Sequence, residues 1–323
     1  MTKLLVQITS SFLGLSVADA LGVPVEFLER ERLRQNPVTN MQEYGSHNQP
    51  MGTWSDDSSL AFCLAESLCQ GYDLQAIGNS FVRWHENGFW TAYGKIFDIG
   101  IATLQALRKI KNGTSALLSG GVSERDNGNG SLMRILPIIF YIKDLPIKNR
   151  FEIVAEVSAI THAHIRSIFG CFIYTEFALQ LLAGKEKYEA YANMQKMVNQ
   201  FTKDFAICSI EEQSKYQRIL ENSIENIDTT PIYNCPENQI YSSGYVVSSL
   251  EASIWCFLTT ENYAEAVLKA VNLGSDTDTV GCITGGLAGL YYGENAIPKE
   301  WLAVLARQND IRDLAARFCV SLA

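Results

Sequence analysis

Apolar residues along the chain recur mainly three and four positions apart, the spacing of one face of a helix. Leu4, Leu5, Ile8, Phe12 and Leu15 predict a first helix. Leu60, Cys63, Leu64, Ser67 and Leu68 share one face of another, as do Val247, Leu250, Ile254 and Leu258. The segment from Ile168 to Leu182 is apolar nearly all round, which predicts a central buried helix. Leu302, Leu305, Ile311, Leu314 and Phe318 predict a terminal amphipathic helix docked on the core. Strand alternation is absent, and no Asn-Gly turn joins two β-branched runs. The pattern predicts a mainly α fold.

Gly and Asn gather in the connections Gly45 to Gly52, Asn112-Gly113, Gly120-Gly121 and Asn127 to Gly130, and two of these directly precede strongly helical runs. The stretch 185–239 is the most polar part and reads as a surface helical insertion, followed by a loop around Pro231 to Pro236. No repeat or low-complexity linker divides the chain, so 1–323 reads as one domain carrying that insertion.

Composition narrows the function classes. Hydrophobic residues make up 47% and charged residues 19%, the balance of a globular protein rather than a disordered one. Net charge is −9 and no stripe of Lys or Arg exists, which argues against a nucleic-acid duplex as partner. An anionic ligand would need a local cation, backbone N–H groups, or both. The eight cysteines lack CxxC or CxH spacing and lie mostly in apolar runs, as buried free thiols do in a reducing compartment. Ala18-Asp19-Ala20 mimics a signal cleavage site, but Gln7, Thr9, Ser10 and Ser11 interrupt the apolar run before it. No stretch reaches the roughly 18 uninterrupted apolar residues of a membrane span. The expectation is a cytoplasmic protein.

Candidate chemistry sits at two helix starts. Ser55-Asp56-Asp57 precedes the Leu60 helix, and Ser275-Asp276-Thr277-Asp278-Thr279 precedes a Gly- and Ala-rich helix. Each alone suits an N-cap with acids near the positive end of the helix dipole. Together they offer hard oxygen donors that suit Mg²⁺ or Mn²⁺ rather than zinc. Carboxylates from two such starts would repel one another unless cations sat between them. Gly281, Gly285, Gly286, Ala288 and Gly289 would let the second helix approach a neighbour closely. The loop Asp126 to Ser131 could aim N–H groups at an anion, helped by a helix start after it. His162 and His164, two apart, do not share a helical face, so a two-histidine metal site there is not expected. One of them capping a loop or touching a ligand hydroxyl fits, as does a purely structural role.

These residues resemble the ADP-ribosylglycohydrolases. The resemblance runs in order through Gly14…Asp19-Ala20-Leu21-Gly22-Val23-Pro24-Val25-Glu26, Gly52-Thr53-Trp54-Ser55-Asp56-Asp57 and Phe97-Asp98-Ile99-Gly100. It continues through Gly128-Asn129-Gly130-Ser131-Leu132-Met133-Arg134, Thr161-His162, Ser243-Gly244-Tyr245-Val246-Val247 and Ala270 to Thr279. The bacterial dinitrogenase-reductase-activating branch is the most similar.

The resemblance implies an all-α, single-domain orthogonal bundle with a central cleft holding two Mg²⁺ or Mn²⁺ ions. It assigns Ser55, Asp56, Asp57, Asp276, Asp278 and Thr279 as metal ligands. It assigns Glu26, Asp57 and Asp276 to catalysis. Asp98, Gly128, Asn129, Gly130, Ser131, Met133, His162, Tyr245, Gly274 and Ser275 are expected to bind substrate, with the diphosphate over Asn129 to Met133. Ser55 stands where the family often has Thr, and Ser275 stands where Gly is expected, which bears on the leaving-group side. The implied activity is hydrolysis at C1″ of the distal ribose, releasing ADP-ribose from a protein side chain, with arginine favoured. Serine-linked and small-molecule ADP-ribosyl compounds, or a nucleotide sugar, are alternatives. So is a non-catalytic reader, or an immunity protein that occludes an ADP-ribosyltransferase toxin.

Overall fold

The Thr2 hydroxyl accepts the Leu5 N–H at 3.2 Å and caps a helix that runs Lys3–Gly22. From Ile8 onward every residue of that helix is buried. A helix with no exposed face belongs inside the protein, and its polar members must find partners there. Ser11 and Ser16 do so by bonding back to the carbonyls of Ile8 and Phe12, each at 2.9 Å. The computed structural model describes residues 2–221 and 230–322, and these form an all-helical, single-domain fold. Among the described residues, β pairing is limited to isolated bridges.

The helix Thr277–Tyr292 lies directly against the first. Its glycines permit this: a Cβ placed on Gly285 would fall 2.4 Å from the Gly14 carbonyl oxygen and 2.4 Å from the Ala18 Cβ. The Tyr263 hydroxyl donates to the same Gly14 carbonyl at 2.6 Å, and Thr277 Oγ1 donates to the Gly22 carbonyl at 2.8 Å. On the far side, the predicted central helix is present as Ile165–Leu182, and its Tyr174 hydroxyl donates to the Ile283 carbonyl at 3.1 Å. Phe12, Phe62, Phe140 and Phe318 meet around the first helix with ring centroids 5.9 to 6.4 Å apart.

Three expectations are corrected. The terminal segment is two helices, Lys299–Val304 and Gln308–Ser321, because the chain extends at Leu305 and turns left-handed at Arg307 (φ 49°). That break lets the Ala306 N–H bond the Gly52 carbonyl at 3.0 Å, next to the first acidic helix start. The apolar run Leu132 to Tyr141 is mostly turns, and regular helix spans only Ile138–Ile142, preceded by Pro137, which lacks an N–H. The helix Val246–Leu258 is buried nearly all round rather than on one face.

Within the polar stretch 185–239, helices span Lys187–Phe205, Ile210–Ser214 and Gln217–Leu220, and residues 222–229 lie outside the described residues. Two segments, Lys3–Val25 and Ile165–Leu182, are long and apolar enough to cross a membrane by length and composition, and 78% of each is buried inside the protein. All eight cysteines are free thiols.

Candidate functional site

The helix Asp56–Leu68 is capped at its start by two residues. The Ser55 hydroxyl accepts the Asp57 N–H at 3.2 Å, as an N-cap does. Asp19, near the end of the first helix, supplies the rest. Its Oδ1 accepts the Ser55 N–H at 2.9 Å, and its Oδ2 accepts the Ser58 N–H at 3.1 Å and the Ser58 hydroxyl at 2.5 Å. These bonds leave the Asp56 and Asp57 carboxylates in the first turn, buried, with no basic side chain among the described residues hydrogen-bonded to either.

The second start is set by a backbone clasp. Gly274 and Ser275 both have positive φ, 78° and 64°, and so does Phe27 at 66°. The Phe27 N–H donates to the Ser275 carbonyl at 2.7 Å, and the Ser275 N–H donates to the Leu28 carbonyl at 2.8 Å. The loop bearing Glu26 is thereby fastened to the loop bearing Asp276. Asn129 donates to Asp276 Oδ2 at 2.8 Å, holding that carboxylate against the Gly128–Gly130 turn.

The two helix starts meet. Thr279 Oγ1 lies 3.4 Å from Asp57 Oδ1, and oxygens of Glu26, Asp276 and Asp278 fall within 4.8 Å of one another. Asp19, Asp57 and the Cys282 thiol form a second group of that size, and Glu26, His47 and Asp98 a third. Asp57 and Thr279 thus join the two starts, with Glu26, Asp276 and Asp278 grouped on one side and Ser55 and Asp56 next to Asp57 in the chain.

Burial is the first cause of the electrostatics here, and mutual repulsion the second. Asp56, Asp57 and Asp278 are all held well above the usual carboxylate range by burial, with neighbouring carboxylates adding to it. Burial pushes Asp19 up to about 6 and Glu26 up to about 7. His47 is raised because its ring bonds the Glu26 carboxylate. Asp57 Oδ2 is buried with no hydrogen-bond partner among the described residues. Among the described residues, massed oxygen donors, a carboxylate oxygen with nothing to bond and the absence of a compensating Lys or Arg fit hard divalent cations.

Beside this centre the chain folds a glycine turn onto His162. The Asn129 N–H donates to the Gly244 carbonyl and the Val246 N–H to the Asn127 carbonyl, both at 3.0 Å. This places Tyr245, half-buried, next to Gly128. A Cβ on Gly130 would lie 2.8 Å from His162 Cε1, so the imidazole packs directly under the turn. His164 takes the capping role instead, its Nδ1 accepting the Arg166 N–H at 3.2 Å. Asp98 lies beside Glu26 and does not cap the next helix, whose N-cap is Gly100.

Two site expectations change. No regular helix starts after Ser131, so an anion over this turn would meet turn N–H groups without a helix dipole behind them. The Ser131 hydroxyl faces inward, fully buried, accepting from Ser158 Oγ at 2.9 Å. Met133 is buried as well. Residues that the sequence patterns did not single out are Asp19 as a cap, His47 on Glu26, Arg134 behind His162 and Cys282 beside Asp57. The single acid in a long buried helix is the sequence signal for Asp19.

Comparison with known proteins gives a consistent result. The ADP-ribosylglycohydrolase family model matches residues 2–322. The chain is 32% identical over 309 residues to ADP-ribosylarginine hydrolase Tri1 of Serratia proteamaculans, covering 94% of this chain and 76% of that protein. It is 26% identical over 307 residues to the ADP-ribosyl-[dinitrogen reductase] glycohydrolase of Rhodospirillum rubrum, covering 91% of this chain and 88% of the relative. A solved structure titled ADP-ribosylglycohydrolase-related protein complex is similar at a TM-score of 0.80 and 29% identity, over 100% of both chains.

Proposed function

The chain belongs to the ADP-ribosylglycohydrolase family, and we propose that it hydrolyses the bond between ADP-ribose and a modified arginine side chain. The observation that carries this reading is the meeting of two acidic helix starts, with Thr279 Oγ1 3.4 Å from Asp57 Oδ1 and Asp57 Oδ2 left without a partner. Ser55, Asp56, Asp57, Asp276, Asp278 and Thr279 are the residues that would hold two divalent cations, Mg²⁺ or Mn²⁺. Bound there, such cations supply positive charge that offsets the carboxylates and orients the vicinal hydroxyls of the distal ribose.

The chain's own groups supply the rest. Hydrolysis forms an O–C1″ bond from water, breaks the C1″–N bond and leaves a proton on the departing guanidine. Glu26, pushed up to about 7 by burial, is poised to take and return that proton, with Asp57 and Asp276 the other carboxylates at hand. His47 bonds Glu26 and fixes its orientation. The Gly128–Gly130 turn and His162 bind the diphosphate side, with Tyr245, Asp98, Gly274 and Ser275 lining the remaining walls. Eight free cysteines support a cytoplasmic location.

The test is release of ADP-ribose from arginine-linked and serine-linked substrates in Mg²⁺, Mn²⁺ or EDTA, beside the Asp56→Ala/Asp57→Ala double variant. The expected result is metal-dependent release from the arginine linkage, lost in the variant. Tight ADP-ribose binding without turnover on either linkage would replace the hydrolase with a reader, or with an immunity protein acting on an ADP-ribosyltransferase.

A further inference from the structure

His162 is held from behind by two buried groups, and their hydrogen bonds determine which ring nitrogen carries its proton. We infer that Arg134 and Thr161 are positioning residues that fix His162 as the neutral Nε2–H tautomer, so that the glycine turn offers its ligand an uncharged donor. The choice of ADP-ribose as that ligand rests on the proposed function; the tautomer does not.

Arg134 is fully buried and has donors only. Its Nη2 donates to Thr161 Oγ1 at 3.0 Å and to the Val157 carbonyl at 3.1 Å, and its Nη1 to the Gly130 carbonyl at 3.3 Å. Thr161 is also fully buried, and its Oγ1 lies 2.8 Å from His162 Nδ1. The hydroxyl has one hydrogen to place. With Arg134 donating to the oxygen, Nδ1 is the acceptor within reach, so the hydroxyl donates and Nδ1 carries no proton. The opposite tautomer would make Thr161 accept twice and would strand its O–H inside the protein. A stranded buried donor costs about 1–3 kcal/mol, which biases the ring roughly 5- to 150-fold.

The charged ring is excluded by the same contacts. An imidazolium would strand the same hydroxyl and would sit beside a guanidinium. Burial, and then the Arg134 charge, push His162 down to about 3. The proton therefore resides on Nε2, on the edge facing the turn: Cβ atoms built on Gly128 and Gly130 would lie 3.4 and 3.3 Å from it. A neutral donor there suits an acceptor oxygen of the ligand, a phosphate oxygen or a hydroxyl lone pair.

The test combines spectroscopy and binding on the full chain. Long-range ¹H–¹⁵N spectra of ¹⁵N-histidine protein, with His162 assigned by its loss in His162→Gln, are expected to show Nε2 protonated and Nδ1 bare at neutral pH. Thr161→Val removes the hydrogen bond that sets the bias, so the Nε2–H fraction should fall and ADP-ribose binding should weaken in proportion, about twofold where the tautomers become equal, while Mg²⁺ affinity stays unchanged. Thr161→Ser should restore both. A proton on Nδ1 in the wild-type protein, or an imidazolium, overturns the assignment, and so does a folded Thr161→Val with unchanged tautomer and affinity. The wild-type spectrum decides the matter even where the valine variant does not fold. Loss of ADP-ribose binding by the wild type would sink the proposed function instead, because the spectrum needs no ligand.

Discussion

Asp19 and Ser58 join the end of one buried helix to the start of another, the carboxylate accepting from both the backbone and the hydroxyl of the serine at 3.1 and 2.5 Å. With the Ser55 N–H on its other oxygen, Asp19 satisfies donors that the helix Asp56–Leu68 cannot satisfy itself. Asp19→Ala strands all of them in a buried site. At about 1–3 kcal/mol for each, the variant should lose at least about 3 kcal/mol. Asp19→Asn, which keeps one acceptor oxygen, should lose less. Urea unfolding of both variants decides it, and an alanine variant within about 0.5 kcal/mol of wild type would mean that the cap contributes nothing.

Metal-free protein should lose stability as pH rises from about 4 to about 7. Asp19 is pushed up to about 6, and Glu26 and Glu251 to about 7, all chiefly by burial, against unfolded carboxylates near about 4. A raised carboxylate holds its proton longer in the native state, so its stabilising contribution is complete below the unfolded pKa. That contribution is lost as pH climbs through the native one. Mg²⁺ bound to the ionised cluster, as proposed, would reverse the trend there and leave the parts of Glu251 beside Arg218 and Glu176 beside Arg150, both outside the cluster. Thermal unfolding across this range in EDTA and in Mg²⁺ should give curves that diverge as pH rises. Parallel curves would count against cation binding by these carboxylates.

Asp57→Asn should separate stability from activity. Without metal, Asp57 is buried among Asp19, Asp56 and Asp276 with one oxygen unpartnered. Removing its charge relieves repulsion and should raise the unfolding temperature in EDTA, by the equivalent of about 1–3 kcal/mol. The same change removes an anionic ligand, so stabilisation by Mg²⁺ should shrink and ADP-ribose release should fall by about 100-fold or more. Equal losses in EDTA and Mg²⁺ would instead mean that Asp57 is a structural residue.

Ser275 sits at φ 64°, where side chains other than Gly are strained, and its N–H and carbonyl close the clasp to Leu28 and Phe27. Ser275→Gly should therefore be neutral or stabilising by up to about 1 kcal/mol, the gain in the left-handed region offsetting the added freedom of the unfolded chain. Ser275→Val should lose about 1–2 kcal/mol, because β-branching worsens that strain. Because Ser275 is exposed beside Asp276, the glycine variant should also shift KM for the arginine-linked substrate more than kcat. Unchanged KM would place the serine off the leaving-group path.

Much of this architecture is legible in the chain. The Ile165–Leu182 helix announces itself because burial on every side leaves no polar stripe. Both acidic helix starts are readable because caps are local, spelled by Ser55 to Asp57 and by Ser275 to Thr279. Their meeting is not local: Asp57 and Thr279 are 222 residues apart, and no periodicity encodes that contact. The role of Asp19 is hidden for the same reason, since a cap supplied by another helix has no spacing signature. The inward direction of the Ser131 hydroxyl is not legible either, because side chains in successive turns follow no repeat, unlike those of a helix or strand.

The small residues between Gly14 and Gly289 are what allow the two acidic helix starts to meet, and this is testable at Gly285. A Cβ there would fall 2.4 Å from the Gly14 carbonyl oxygen and 2.4 Å from the Ala18 Cβ, both on the first helix. Neither is the end of a flexible side chain, so the helices must move apart. Gly285→Ala would gain about 1 kcal/mol of helix propensity in isolation. Overpacking of this kind costs about 1–3 kcal/mol, and backbone contacts on both sides place this site at the upper end, so the packing loss should win. The effect should reach the site, because Asp19 and Asp278 lie on the separated helices. Mg²⁺ affinity should fall along with stability. As a control, Gly293→Asn meets nothing within 4 Å and is strained only in its own backbone (φ 80°, ψ 167°), so it should cost stability and leave Mg²⁺ binding unchanged. If Gly285→Ala keeps wild-type Mg²⁺ affinity, the distance between the two helices does not set the geometry of the acidic centre.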